Sequence, residues 1–148
     1  MTLAQSPLDR TLNQRLLNGA LGGLAGGVLF GLMMGMMGML PMIAGLVGSS
    51  SAIVGFLIHM LISAIIGAIY GLTLGTLTTN WGKALGLGAL YGVIWWILGP
   101  LLLMPMMMGM GPQLTPEAMS GAIPSLIGHI LYGIITGAVY LWLTRRAS

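Results

Sequence analysis

Long apolar stretches and short polar connections alternate along the chain. Four such stretches run over about residues 16–40, 52–77, 84–104 and 124–143, and none contains Asp, Glu, Lys or Arg. Each matches the ~20 residues with which a helix crosses the core of a bilayer. Because lipid offers no hydrogen-bond partners, the backbone of such a stretch must form a helix despite its many glycines. The pattern predicts an all-α membrane protein, with four transmembrane helices in a single domain over residues 1–148.

Composition and charge agree with a membrane protein and exclude several kinds of site. Hydrophobic residues make up 57% of the chain and charged residues 5%, whereas a soluble domain carries about 25% charged residues. Cysteine is absent, which excludes disulfides, thiolate metal sites and thiol nucleophiles. The net charge of +3 resides beside the apolar stretches, so the bilayer is the expected partner and a nucleic acid is not.

The basic residues predict how the chain crosses the membrane. They precede the first stretch, lie between the second and third, and follow the fourth: Arg10, Arg15, Lys83, Arg145 and Arg146. The other two connections contain no Lys or Arg. Since cytoplasmic loops carry the excess of positive charge, both termini and the Lys83 loop are predicted to be cytoplasmic.

Two short helices are expected outside the four stretches. Residues 6–9 and residues 115–117 each place a capping residue before a proline and an acid, which is typical of a helix start. The first is predicted to form a short N-terminal interfacial helix. The second predicts a brief helix on the outer surface.

The second half of the chain repeats the first. Residues 55–70 align with residues 125–140, with identical His, Gly, Ala and Tyr positions. The identities pair His59, Gly67, Ala68 and Tyr70 with His129, Gly137, Ala138 and Tyr140. We therefore predict two tandem hairpins, about 16–78 and 82–144, as parallel repeats about an approximate two-fold axis along the membrane normal. A shared site would lie on that axis, although the duplication can also serve packing alone.

Glycines recur at intervals of four and mark helix faces for close packing. Small residues at this spacing let helices approach each other inside lipid. The predicted packing glycines are Gly19, Gly23, Gly27, Gly31, Gly35, Gly67, Gly71, Gly133 and Gly137. Their partner can be the same chain, a second copy or another subunit. The leading hypothesis is a non-enzymatic helix bundle that acts as a homo-oligomer or as an accessory subunit of a larger membrane complex.

The two histidines, His59 and His129, each begin a small-residue face near the predicted outer end of a helix. Both are expected to point into a helix interface, where an ionisable group is costly and suggests function. Three roles stay open: a neutral imidazole bonded to a carbonyl or hydroxyl of the next helix, a ligand, or proton handling.

Methionine is unusually frequent and clustered. Most of the 14 methionines lie near the predicted outer ends of the first and third stretches. Thioethers and imidazoles are soft to borderline ligands that favour Cu(I). The candidate ligands are His59, His129, Met36, Met37, Met39, Met60, Met104, Met107 and Met108. Binding or passage of Cu(I) or Ag(I) is therefore the alternative function, against the simpler interpretation that methionine fills irregular space at helix ends.

A single haem b is a further alternative, with His59 and His129 as opposed axial ligands across the two-fold axis. Enzyme chemistry is not predicted. The only acids, Asp9 and Glu117, lie outside the apolar stretches, and no nucleophile, base and orienting acid can be assembled.

Three motifs resemble a known family. They are Gly-His-x-x-Tyr-Gly-x-x-x-Gly-Ala-Val-Tyr at 128–140, Gly-Ala-Leu-Tyr-Gly-Val at 88–93, and Met-Pro-Met around Pro105. Over most of the chain after about Asn18, the sequence resembles an uncharacterised family of small bacterial four-helix inner-membrane proteins, a domain of unknown function. The resemblance implies a bacterial inner-membrane location and the same duplicated topology, and it implies no catalytic or binding residue.

Overall fold

The computed structural model describes residues 11–147, and over this range the chain forms helices joined by turns, without a β-strand. The α-helices are α1 (Leu12–Met36), α2 (Leu40–Ala44), α3 (Ala52–Thr73), α4 (Trp81–Trp96), α5 (Met104–Met107), α6 (Pro116–Gly121) and α7 (Ile123–Arg146). A 3-10 turn, Gly45–Val47, follows α2, and a π-helix, Ile97–Leu103, joins α4 to α5.

Four helices are long and apolar enough to cross a membrane: α1, α3, α7 and the continuous helix Trp81–Met107. This confirms the prediction of an all-α chain with four helices of spanning length. The third of them is longer than the predicted range of about 84–104. It begins earlier because the Asn80 side chain accepts a hydrogen bond from the Lys83 backbone N at 2.9 Å. It ends later because the helix continues through Pro100 as a π-helix.

Threonine side chains cap the first turns of two other helices. The Thr11 hydroxyl accepts from the Gln14 backbone N at the start of α1, and the Thr115 hydroxyl accepts from the Ala118 backbone N at the start of α6. The helix start predicted from residues 115–117 is therefore confirmed. The interfacial helix predicted from residues 6–9 lies outside the described residues.

The spanning helices pack in the order α3, α1, α7, α4, each antiparallel to the next. On α1, Gly19 lies against Gly71 of α3 and Gly27 lies against Ser63, so residue numbers rise along one helix as they fall along the other. A second face of α1 packs on α7, which packs in turn on α4. The helices α1 and α7 therefore form the centre of the bundle.

Tyrosines fill the space between the flanking helices α3 and α4, whose backbones scarcely meet. The Tyr70 ring centroid lies 5.2 Å from that of Tyr91 and 5.8 Å from that of Tyr140, both in edge-on contact. The Tyr91 hydroxyl donates to the Ile66 carbonyl at 2.6 Å, and the hydroxyls of Tyr70 and Thr78 share a bond of 2.9 Å. The buried hydroxyls thus have the partners that burial demands.

The two ends of the bundle differ in chemistry. The described basic side chains gather at one end, here called the basic end: Arg15, Lys83, Arg145 and Arg146. There the Arg15 guanidinium donates to the carbonyls of Gly71 and Leu72, which are left free where α3 ends. The opposite end, here called the methionine end, contains the methionines of residues 33–42 and 104–110. The candidate site lies there.

Candidate functional site

A cavity of about 130 Å³ lies inside the methionine end. Residues of α1, α2, α3, the π-helix, α5 and α7 form its wall. Six of the side chains that line it carry imidazole or thioether groups: His59, His129, Met34, Met39, Met42 and Met104. We call this cavity the histidine chamber.

A tight turn brings the methionines of α2 into the chamber wall. Gly38 has a φ of +68°, in the left-handed region that favours glycine, and the Met39 backbone N then donates to the Met34 carbonyl at 2.9 Å. Next, α2 lies across the start of α3, where a Cβ at Gly55 would collide with the Leu40 carbonyl. Glycine at these positions therefore permits both the turn and the close contact.

The π-helix supplies another part of the wall. Its wide turn accommodates Pro100, which has no N–H and would interrupt an α-helix. Gly99 in the same turn lies beside α7, where a Cβ would make an ordinary contact with His129 Nε2 at 4.0 Å. Such π-turns within helices occur frequently at functional sites.

His59 of α3 is buried, with 6% of its surface exposed, and is bonded to α1. Its Nε2 lies 2.9 Å from the Gly27 carbonyl oxygen. A carbonyl can only accept, so Nε2 carries the hydrogen, and Nδ1 of the neutral ring keeps a lone pair. The Ser63 hydroxyl is 3.5 Å from the same Nε2. Within residues 11–147 no hydrogen bond involves His59 Nδ1.

His129 of α7 has the opposite tautomer. Its Nδ1 lies 2.8 Å from the carbonyl oxygen and 3.3 Å from the hydroxyl of Ser125, one turn earlier in the same helix. Nδ1 therefore donates to the carbonyl, and Nε2 keeps the lone pair. This Nε2 faces Gly99, and across the described chain it makes no hydrogen bond.

Phe30 of α1 contacts both histidines. Its ring centroid lies 5.4 Å from that of His59 and 4.7 Å from that of His129, with both imidazoles in edge-on contact. Gly128 makes room for this ring, because a Cβ there would collide with it. A porphyrin is far larger than the chamber of about 130 Å³ that both imidazoles line, so this cavity does not support the haem alternative.

The chamber offers uncharged ligands. No group of three or more His, Cys, Asp or Glu side chains comes together in residues 11–147. Beside the Ser125 hydroxyl, which lies 3.3 Å from His129 Nδ1, the side-chain donors of the wall are two imidazole nitrogens and the thioethers. Neutral nitrogen and sulfur ligands suit Cu(I) and Ag(I), whereas Mg²⁺ and Ca²⁺ require oxygen ligands.

The fold separates the methionines that were predicted as metal ligands. Met39 and Met104 line the chamber, whereas Met37 and Met108 line a larger neighbouring cavity. Three others are absent from the described linings of both cavities: Met36, Met60 and Met107. Met36 is 82% exposed and Met107 is 71% exposed. Met60 lies on α3 beside α1, where its sulfur would be 3.5 Å from a Cβ at Gly27.

Two methionines and a phenylalanine are among the chamber residues that were not predicted as site residues. Met34 and Met42 line the wall, and Phe30 contacts both histidines. Met34 is 5% exposed although it lies only two positions from Met36, since residues two apart on a helix point in nearly opposite directions. Little in the sequence points to Phe30. It is one of two phenylalanines, and Gly128, which makes room for its ring, directly precedes His129.

The glycine rows lie against helices of the same chain. Backbone or side-chain atoms of α3 lie closest to Gly19, Gly23, Gly27 and Gly31, and those of α1 to Gly67 and Gly71. On α7, Gly133 and Gly137 face α4. Gly35 differs, because a Cβ there would meet only the tip of Leu40, at 3.4 Å. Two further glycines, Gly22 and Gly26, let α7 approach the adjacent face of α1.

Comparison of the chain with known protein families, with curated proteins and with solved structures gives no match. Membership of the four-helix inner-membrane family therefore stays a prediction from the motifs at 88–93, around Pro105 and at 128–140.

Proposed function

We propose that this chain is a non-enzymatic membrane protein that binds a soft monovalent metal ion, Cu(I) or Ag(I), in the histidine chamber. The hydrogen bonding of the imidazoles supports this most directly. One nitrogen of each ring donates to a backbone carbonyl and the other keeps its lone pair, and both histidines line the same cavity as four methionines. Metal-binding histidines are oriented by such a bond from the nitrogen that does not touch the metal.

The electrostatics of the chamber favour a single positive charge. Burying an ion is costly unless polar ligands replace its water, and the chamber contains no anionic ligand among its described residues. The one acid in residues 11–147, Glu117, lies on α6. A soft monovalent ion is the metal that polarisable sulfur and neutral imidazole stabilise best.

The hairpin contacts support the tandem repeat. Gly19 of α1 meets Gly67 of α3, and at the corresponding positions Ala84 of α4 meets Gly137 of α7. The pair Gly23 and Ser63 corresponds likewise to Gly88 and Gly133. The repeat is imperfect in its packing, because α1 meets α7 closely whereas α4 and α3 are joined through tyrosines.

The charges support a topology with both termini in the cytoplasm, and the family resemblance implies that the membrane is the bacterial inner membrane. The described basic side chains lie at one end of the bundle, and the histidine chamber lies at the other. With the basic end inside, the chamber faces the outer side of the membrane. The metal would then be taken from that side.

The assembly hypothesis has lost much of its support. It rested on the glycine row of α1, and most of that row is occupied by α3 of the same chain. A homo-oligomer or a larger membrane complex would have to form through other surfaces. We therefore rank metal binding above assembly.

The same hydrogen bonds would also form if the histidines served helix packing alone. The proposal is therefore tested by measuring the binding of silver directly. Purified protein in detergent is loaded with silver nitrate in chloride-free buffer, and silver K-edge X-ray absorption identifies the ligands. Nitrogen and sulfur are expected in the coordination shell. The double variant His59→Gln with His129→Gln keeps side-chain N–H donors and removes both imidazoles. It should lose the nitrogen signal and weaken that binding at least ~100-fold, more than the ~10–100-fold typical of losing an orienting partner.

Two exposed methionines provide the control. Met36→Leu with Met107→Leu alters the same residue type outside both cavities and should leave silver binding unchanged. The proposal fails if wild-type protein binds no silver. It fails equally if the histidine double variant, with unchanged helical circular dichroism, binds silver as the wild type does.

A further inference from the structure

A second cavity, of about 410 Å³, lies beside the histidine chamber. Six methionines line it, from the end of α1, from α2, and from α5 with the turn that follows: Met37, Met39, Met42, Met104, Met108 and Met110. Its described lining includes no histidine and no charged side chain. We call this second space the outer cavity.

The two cavities share part of their walls. Met39, Met42 and Met104 line both of them. Other donors belong to one cavity alone: Met37, Met108 and Met110 to the outer cavity, and Met34, His59 and His129 to the histidine chamber. The shared thioethers therefore connect the outer cavity, whose own donors are sulfur atoms, with the histidine chamber, whose own donors include imidazole.

The turn that carries Met108 and Met110 is held in place. The Gln113 backbone N donates to the Leu101 carbonyl of the π-helix at 2.7 Å. The Gln113 side-chain amide donates to the Met110 carbonyl at 3.4 Å and to the Gly111 carbonyl at 3.3 Å. These bonds fix the turn that carries Met108 and Met110 against the π-helix.

We infer that the outer cavity is a second soft-metal site, with thioether ligands only, and that an ion passes from it to the histidines over the shared methionines. Its role as an entry site rests on the proposed function of the histidine chamber, whereas its own metal binding does not. Thioether sulfur is neutral and selects Cu(I) or Ag(I) over harder ions. An ion that exchanges ligands across Met39, Met42 and Met104 keeps a soft ligand at each step.

Stoichiometry and ligand type test the second site. Protein in detergent is dialysed against silver nitrate, and bound silver is measured together with its K-edge absorption. Wild-type protein should bind about two silver ions per chain, with nitrogen and sulfur ligands. Met108→Leu with Met110→Leu should lose one ion and keep the nitrogen signal. His59→Gln with His129→Gln should lose one ion and keep sulfur alone.

The two variants test the outer site and the histidine site independently of each other. A single bound ion with nitrogen ligands, unaffected by Met108→Leu with Met110→Leu, overturns the outer site and leaves the histidine site intact. Sulfur-only binding that the histidine variant does not change overturns the histidine site and leaves the outer site intact. If either variant loses both silver ions while its circular dichroism is unchanged, the two sites are not independent. That result overturns the inference of a separate outer site.

The role of the outer cavity as an entry site is tested by the rate at which silver reaches the histidines. Silver arriving at the chamber should shift the imidazole NMR signals of His59 and His129. In the Met108→Leu, Met110→Leu variant this arrival should slow several-fold relative to wild type, whereas Met36→Leu with Met107→Leu should leave it unchanged. Arrival at the wild-type rate in the first variant overturns the entry role.

Discussion

The imidazole of His59 donates from Nε2 to the carbonyl oxygen of Gly27, 2.9 Å across the interface between α3 and α1. This contact depends on the missing side chain of Gly27, because a Cβ there would lie 2.5 Å from the Ser63 hydroxyl oxygen. Gly27 belongs to the glycine row that brings α1 against α3. Close helix packing and orientation of the imidazole are therefore produced by the same residues.

Replacement of Gly23 by Leu should destabilise the folded chain. A side chain at Gly23 would collide with the backbone of α3, at the Ser63 carbonyl and the Gly67 Cα. Because backbone cannot move aside easily, we expect a loss of about 3 kcal/mol or more, at the upper end of overpacking costs. Thermal unfolding in detergent, followed by circular dichroism, measures the effect.

The matched control is Gly86→Leu on α4, where a Cβ would meet no described atom within 4 Å. It should unfold within a few degrees of wild type. Equal melting of the Gly23 and Gly86 variants would contradict the packing of α1 on α3. A smaller oligomer at unchanged melting would instead return support to the assembly hypothesis.

Replacement of Gly128 by Ala should disturb the histidine chamber. The added methyl group would collide with the Phe30 ring, which contacts both imidazoles. We expect a stability loss of about 1–3 kcal/mol from overpacking, together with weaker silver binding in calorimetric titration. Gly121→Ala on α6, where the methyl group has open space among the described atoms, is the control. Unchanged silver affinity in the Gly128 variant would argue against binding beside Phe30.

Haemin should not form a bis-imidazole complex with this protein. The chamber that both imidazoles line has a volume of about 130 Å³, which is far too small for a porphyrin. Titration of haemin into the purified protein is expected to give no low-spin bis-imidazole absorption bands, with wild type as with His59→Gln, His129→Gln. Bands that appear only with wild type would restore the haem alternative.

The absence of cysteine allows a direct test of orientation. Ser50 lies at the methionine end and Thr79 at the basic end, and both are exposed. In cells whose inner membrane is intact and accessible from outside, a membrane-impermeant maleimide should label Ser50→Cys and spare Thr79→Cys. After lysis, both variants should react. Labelling of Thr79→Cys alone in intact cells would reverse the proposed topology.

Several features could be predicted from the sequence because they depend on local physics. Stretches of about 20 apolar residues must form helices if they lie in lipid, and four helices of spanning length are found. A capping residue followed by proline and acid starts a helix wherever it occurs, as Thr115 does for α6. Spacing of four also fixes which glycines share a face of one helix.

Only the tertiary structure decided what each face meets. Gly23 and Gly26 are three positions apart, yet one packs on α3 and the other on α7, because rotation of α1 in the bundle depends on all its neighbours. Met34 faces the chamber and Met36 does not, a choice that a run of similar residues leaves open. The length and polarity of segments thus followed from the sequence, whereas the donors that meet in one cavity depended on how four helices and two turns pack together.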